Sequence, residues 1–377
     1  VGHYRAYQKG GQRCSNARAY LWPVQSRPNL TIKTGALVHR VIIQNGQAVG
    51  VEYGWEGQSC KATARREVLL SGGAFNSPQL LLLSGIGPAE ELTQHGIPLV
   101  HELKGVGKNL QDHLDVFLVM RTRKRWPISL HPLSWFRWLV QLLKYFALRQ
   151  GELTSNLAEA GGFVHSSPDE KIPDLQLHFV VAMVDDHARK MHMGHGFSCH
   201  VCLLRPRSRG SLTLQGNTMD TPPLIDIGFL KDPRDLDELV EGFKLTRKIM
   251  HAPALAKWIL KDKFTEHVRT DDEIREVLRN RVDTVYHPTG TCKMGTDSMA
   301  VVDPQLRVHG LEGLRIVDAS AMPSLIGGNT NGPVMMMAEK AVDLIRGVSR
   351  VPALEQAEHN ARARQEHLTQ ALVPQPV

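Results

Sequence analysis

Arg66-Glu67-Val68-Leu69-Leu70-Ser71-Gly72-Gly73-Ala74 is the stretch on which the fold turns. Val68 to Leu70 form a short, unbroken apolar run, the pattern of a strand buried on both faces of a parallel sheet. Two glycines follow, and a helix is expected from about Ser77 through Ser84. A strand, a glycine turn and a helix in that order let backbone approach a phosphate or the edge of a cofactor. Just upstream, residues 29–34 and 36–43 read as strands. Asn45-Gly46 reads as a hairpin turn into a further strand over 48–53.

Residues 113–285 have a different character, poorer in glycine and richer in histidine. Helices are expected over Leu133–Arg149 and about Asp232–Met250. The second has Asp235, Asp237 and Glu238 early and Lys244, Arg247 and Lys248 late, as the helix dipole prefers. Strands are expected over 175–180, 198–204 and 210–215. Residues 286–350 return to a strand–loop–helix style with a helix over Val334–Ile345, and the polar tail 351–377 is expected to fray. The fold class is α/β plus α+β. An α/β part over 1–112 and 286–350 is interrupted by a domain over 113–285, built on an antiparallel sheet and helices.

The chain has 377 residues, 42% hydrophobic and 22% charged, with net charge +7. That is the composition of a globular protein. The basic residues are scattered and no zinc-finger or RNA-binding motif occurs, so nucleic acid is not an expected partner. Five cysteines at irregular spacing argue against a disulfide scaffold and for a reducing compartment. The expected location is the cytoplasm. No apolar run reaches the length of a membrane span.

Three segments carry chemistry. Tyr286-His287-Pro288-Thr289-Gly290-Thr291-Cys292 puts a histidine into a Pro/Gly turn. Gly328-Asn329-Thr330-Asn331-Gly332-Pro333 frames two asparagines. Between them Leu314–Val317 is an apolar strand that runs into Asp318. A base, an amide and an acid at a strand end are the parts of a site that takes a proton and a hydride from an alcohol. Neutral histidine suits the proton, because its pKa lies near working pH.

Gly73–Gly87 is similar, over fifteen consecutive positions, to a signature of the glucose-methanol-choline (GMC) oxidoreductases. Gly105–His113 resembles the segment which that family places beside its flavin, and the 286–292 and 318–333 block resembles its active-site end. The resemblance runs from about residue 10 to 347. It implies FAD as cofactor, His287 as base, and Asn331, 44 positions on, as the amide that orients the alcohol oxygen. It further implies cofactor contacts at Val38, Asn109, Asp112, Asp318, Ala319, Asn329, Thr330 and Pro333. The family's Gly-x-Gly-x-x-Gly dinucleotide turn is absent, so the chain reads as a C-terminal fragment with a partial FAD-binding, Rossmann-like domain. The implied reaction is oxidation of a primary alcohol to an aldehyde, with electrons passed to a quinone or another acceptor. Choline oxidation, a non-redox lyase on the same scaffold, and a non-catalytic binding module are the alternatives.

Weaker signals stay open. His187, His192, His195, Cys199, His200 and Cys202 resemble a metal cluster, but residues three apart on a strand face opposite ways, and no metal is expected. Leu133–Arg149 is rich in Trp, Phe and Leu, with Arg137, Gln141 and Lys144 as a narrow polar stripe, and lies just after Arg121–Trp126. It reads either as a helix in a membrane interface, giving peripheral contact at the cytoplasmic membrane, or as a buried helix with a thin exposed edge. Glu159, before a Gly-Gly turn, reads either as a partner for a substrate cation or as a surface residue. Cys292 reads as a small buried hydrophobe beside the histidine turn.

Overall fold

The computed structural model describes residues 2–4, 6–124, 128, 134–185, 190 and 192–348. Arg125, Trp126, Leu133, His187 and the tail 351–377 lie outside the described residues.

Two hydrophobic cores organise the chain. The first begins with an antiparallel meander of β1 (Leu37–Gln44), β2 (Gln47–Trp55) and β3 (Gln58–Thr63). Asn45 and Gly46 join β1 to β2 with φ of 49° and 78°. Positive φ at both central residues is what a tight hairpin of matching twist requires. The strand expected over 29–34 does not form, and among the described residues no strand pairs with this segment. Instead the Lys33 ammonium stands 3.6 Å from the Trp55 ring centre, and the Thr34 carbonyl accepts from Trp55 Nε1.

β4 (Val68–Leu70) is the expected parallel strand and pairs with Leu314–Ile316 from the far end of the chain. α1 (Gly73–Leu83) starts four residues before the expected point and contains Pro78. Proline has no N–H for the carbonyl four residues back. That carbonyl, Ala74 O, accepts from Thr291 Oγ1 at 2.6 Å instead. A proline that argues against an early helix start is thus accommodated by the histidine turn.

The second core lies under one antiparallel sheet. Its strands are β5 (Leu114–Arg121), then, beyond α2 (Trp135–Leu148), β6 (Ala160–Val164), β7 (Leu175–Val180) and β8 (Gly196–Leu203). The spatial order is β6-β7-β8-β5, and Gly2–His3 extends the β6 edge. Gly161-Gly162 makes no turn but lies within β6. A Cβ on Gly161 would stand 1.9 Å from the Leu177 carbonyl, so glycine is there to let two strands close on each other.

Side chains alternate across this sheet. Leu114, Val116, Leu118 and Met120 of β5, with Leu175 and Leu177 of β7, face the core. β9 (Ser211–Thr213) and β10 (Leu224–Asp226) form a two-stranded sheet of their own among the described residues. Expected among the strands of the inserted region, β9 belongs elsewhere: Leu212 and Leu214 pack into the first core, and Leu212 N donates to Gly107 O.

α3 (Pro233–Met250) and α4 (Asp271–Arg281) then cover the sheet, burying Leu239, Phe243, Ile274 and Leu278. Asp232 caps α3 and Thr270 with Glu273 forms a capping box on α4, which fixes both starts. The chain returns to the first core through β11 (Leu314–Ile316) and ends in α5 (Asn331–Arg346). Among the described residues no helix is long and apolar enough to cross a membrane.

Candidate active site

His287 sits where the first core meets the polar face of the sheet. The preceding Tyr286 has φ 63°, a sharp reversal that presents the histidine. Asp112 holds the turn from below: its Oδ1 accepts from His287 N at 2.9 Å and from His113 N at 2.8 Å, and its Oδ2 accepts from Thr284 Oγ1. Burial pushes the Asp112 carboxyl up to about 6 despite these three donors. Asn109, itself at φ 61°, clamps the far side of the turn, with Nδ2 donating to Gly290 O at 3.1 Å and Pro323 O at 3.3 Å. Expected as flavin ligands, Asp112 and Asn109 have these side-chain groups engaged in shaping the histidine turn.

Two histidines meet at the centre. His113 Nδ1 and His287 Nδ1 are 2.9 Å apart, with the rings near perpendicular at 84°. His113 Nε2 lies 3.0 Å from Ile326 O and 3.2 Å from Leu204 O, and a carbonyl can only accept. Nε2 of His113 therefore carries the proton and its Nδ1 is the acceptor. His287 must then donate from Nδ1, which leaves a lone pair on its Nε2. Burial lowers His287 to about 4 and His113 to about 3, so both are neutral near pH 7. His113 closes the Gly105–His113 motif, yet its pairing was not legible there, since 174 positions separate the two.

The amide beside His287 Nε2 is Asn329, whose Nδ2 lies 3.5 Å away while its Oδ1 accepts from Gln176 Nε2 at 3.2 Å. Asn331, two residues on, is exposed in the first turn of α5, with Pro333 in the same turn, where a missing N–H costs nothing. Thr330 is buried and precedes α5 without a side-chain cap on it.

Asp318 lies just past β11 and is a buried clamp. Its Oδ2 accepts from Gly73 N at 2.9 Å and Ser77 Oγ at 2.6 Å, and its Oδ1 from Ser320 N at 2.8 Å and Ser320 Oγ at 2.5 Å. It ties the start of α1 to the turn over 319–321, where the Ala319 carbonyl accepts from Gly290 N. Both Asp318 oxygens are thus occupied within the fold. Val38 lines a groove of about 510 Å³ beside the end of β4, with Ser71, Gly72 and Asn76.

The sheet turns a polar face to this site. Phe117 and His178 both stand in register with His200, and Asp115 Oδ2 lies 2.6 Å from His200 Nδ1. Asp115 Oδ1 and His200 Nε2 are buried without a hydrogen-bond partner among the described residues. Polar residues at alternate positions of otherwise apolar strands (115; 176 and 178; 198 and 200) were the sequence signal for this wall. Cys199 faces the core, while Cys202 stands opposite Asp115. Burial pushes Cys199 up to about 12 and Cys202 well above the usual thiol range. Among the described residues no three His, Cys, Asp or Glu side chains gather as metal ligands. Glu159 is exposed. Cys292 is fully buried in the first core.

Comparison with known proteins places this geometry. Profiles of GMC oxidoreductases match residues 1–115 and 206–338. An alcohol dehydrogenase [acceptor] of Pseudomonas putida is 49% identical over 92% of this chain and 63% of its own length. An oxygen-dependent choline dehydrogenase of Escherichia coli is 43% identical over 91% of this chain and 62% of its own. The chain thus spans somewhat under two thirds of these relatives. Among solved structures, the formate oxidase of Aspergillus oryzae superposes with TM-score 0.82 at 27% identity, over 90% of this chain and 64% of that one. Pyridoxine 4-oxidase from Mesorbium loti gives 0.79 at 28%, over 91% and 64%. With its two profile matches, its close relatives and its shared fold, the chain belongs to the GMC oxidoreductase family.

Proposed function

We propose that this chain carries the substrate side of an FAD-dependent enzyme that oxidises primary alcohols to aldehydes, with His287 Nε2 as the base. The observation that carries the reading is the fixed tautomer of His287. A neutral imidazole, its lone pair on Nε2 and its Nδ1–H held by His113, is ready to take the hydroxyl proton. Bound FAD supplies the acceptor for the hydride that leaves the carbinol carbon.

The chain's residues fit such a cofactor. The groove at Val38 opens beside the carboxyl end of a parallel strand, where dinucleotides bind in open α/β sheets. Ala319 and the Asn329–Pro333 loop frame the side nearer His287. Asn329 donates toward His287 Nε2, and exposed Asn331 hydrogen-bonds the alcohol oxygen. Desolvation in these surroundings keeps His287 uncharged. Electrons then pass to a quinone or another acceptor, in keeping with the name of the Pseudomonas relative.

Choline oxidation is the second reading, favoured by the buried Asp115 carboxylate on the site wall beside Phe117. A stopped-flow panel under anaerobic conditions separates these readings. Flavin bleaching by octanol faster than by choline supports the first. Faster bleaching by choline supports the second. No bleaching by any alcohol would refute redox chemistry and leave the lyase. With the alcohol that bleaches best, His287→Ala should slow reduction by at least about 10²-fold with FAD still bound.

A further inference from the structure

α2 is inside out. Two residues of its polar stripe face the protein: Gln141 is only 9% exposed and its Oε1 accepts from Glu152 N at 3.0 Å, while Arg137 pairs with the Glu152 carboxylate at 2.7 Å. Trp135, Phe136, Leu139, Leu142, Leu143 and Phe146 point outward, Phe136 with 78% of its surface exposed. Residues 139, 142, 143 and 146 recur at helical spacing and share one face, opposite the stripe at 137, 141 and 144.

The orientation is built in. A Cβ on Gly151 would lie 2.4 Å from Gln141 Oε1, and one on Gly11 would lie 2.2 Å from Arg149 O. Two glycines thus make room for the inward polar contacts and for the helix end. Nothing in the sequence of α2 favours this arrangement in water, where a large contiguous apolar patch marks a surface that is covered.

Charge identifies the cover. Between Asp115 and Glu152 the sequence contains seven Lys or Arg and no acid. Arg149 stacks its guanidinium over Tyr145 at 4.8 Å and reaches Phe146 at 5.8 Å, and Lys144 is exposed. Aromatic and leucine side chains projecting from a helix with cations alongside match the acyl–headgroup boundary of an anionic bilayer. At 14 residues α2 is too short to span a bilayer but suits lying in its surface.

We infer that α2 is a monotopic anchor, by which the protein docks on anionic lipid with the helix parallel to the membrane plane. The inference is independent of the alcohol-oxidising reading. The test is flotation of the FAD-loaded protein with liposomes of phosphatidylcholine alone or with phosphatidylglycerol, at low and high salt. The expected result is co-flotation with the anionic vesicles, weakened by salt, with a blue shift of tryptophan emission.

Phe136→Glu with Leu143→Glu should weaken vesicle binding at least tenfold, while turnover with a soluble acceptor and the far-UV spectrum stay unchanged. Lys144→Gln with Arg149→Gln should weaken binding to anionic vesicles and leave the weaker binding to neutral ones. Absence of flotation at low salt would overturn the proposal. So would a dimer that Leu143→Glu dissociates and that ignores vesicles, since the cover would then be a second copy of the chain.

Discussion

The Nδ1 atoms of His113 and His287 stand 2.9 Å apart, and only His287 brings a proton to the contact. The direction is set remotely, by the Leu204 and Ile326 carbonyls that hold the proton of His113 on its other nitrogen. Removing His113 as an acceptor therefore unlocks the tautomer of His287, the base we propose. His113→Phe should lower kcat/KM for the alcohol by on the order of 10²-fold, the low end of what a positioned base contributes. His113→Asn, whose side-chain oxygen can still accept, should recover much of that loss. Thermal unfolding of both variants checks the assignment: activities that simply follow stability would make His113 a packing residue.

The same burial that orients the pair sets the pH response. With His287 lowered to about 4, the base stays neutral far below the ordinary imidazole range. We expect kcat/KM to be flat from neutral pH down to about 5 and to fall about tenfold per unit below about 4. An acidic limb near 6.5 would place His287 in water.

Stability should respond to pH in two opposing ways. Between about 4 and 6 the unfolded chain protonates His113 and His287 while the folded chain does not, so these residues make stability rise with pH. Asp112, raised to about 6, binds a proton in the folded chain that the unfolded chain lacks, and so lowers stability as pH rises through that window. Two protons against one leave a net rise. Asp112→Asn removes the opposing group, so its unfolding free energy should climb more steeply, by up to about 1.4 kcal/mol per pH unit. Urea denaturation at pH 4.5, 5 and 5.5, roughly the centre of the window, measures the slope.

Thr291 and Pro78 should be coupled. Thr291→Val leaves the buried Ala74 carbonyl without a donor and should cost about 1–3 kcal/mol. In that background Pro78→Ala restores an N–H four residues on, and should regain part of the loss. A double-mutant cycle by chemical denaturation reads the coupling; strictly additive costs would mean that Thr291 acts elsewhere.

Much of this was legible in the chain. The apolar run at 68–70, the hairpin at Asn45-Gly46 and the helix over 233–250 announce themselves, because each is decided by local chemistry. His287 stood out for the same reason, in a turn punctuated by proline and glycine. What sequence could not show was which side chains meet across 174 positions, so neither the pairing of His113 with His287 nor the approach of Asn329 to His287 Nε2 could be read from it. Asp318 sits where expected but faces inward, because the start of α1 and Ser320 offer it four donors. The helix at 135–148 misled in the opposite sense. Periodicity gave its two faces correctly, but which face turns outward depends on Gly151 and Glu152, well beyond its end.

β5 joins two roles in one ribbon, with Leu114, Val116, Leu118 and Met120 on one face and Asp115 and Phe117 on the other. A slip of one residue would exchange these faces. Correct assembly of the chamber is therefore proofread by the oil-like side of the same strand: a misregistered wall would also be an unstable one. Conversely, a change at 115 or 200 would break the Asp115–His200 contact, and one at 176 would release Asn329, while the apolar face of β5 keeps its own partners.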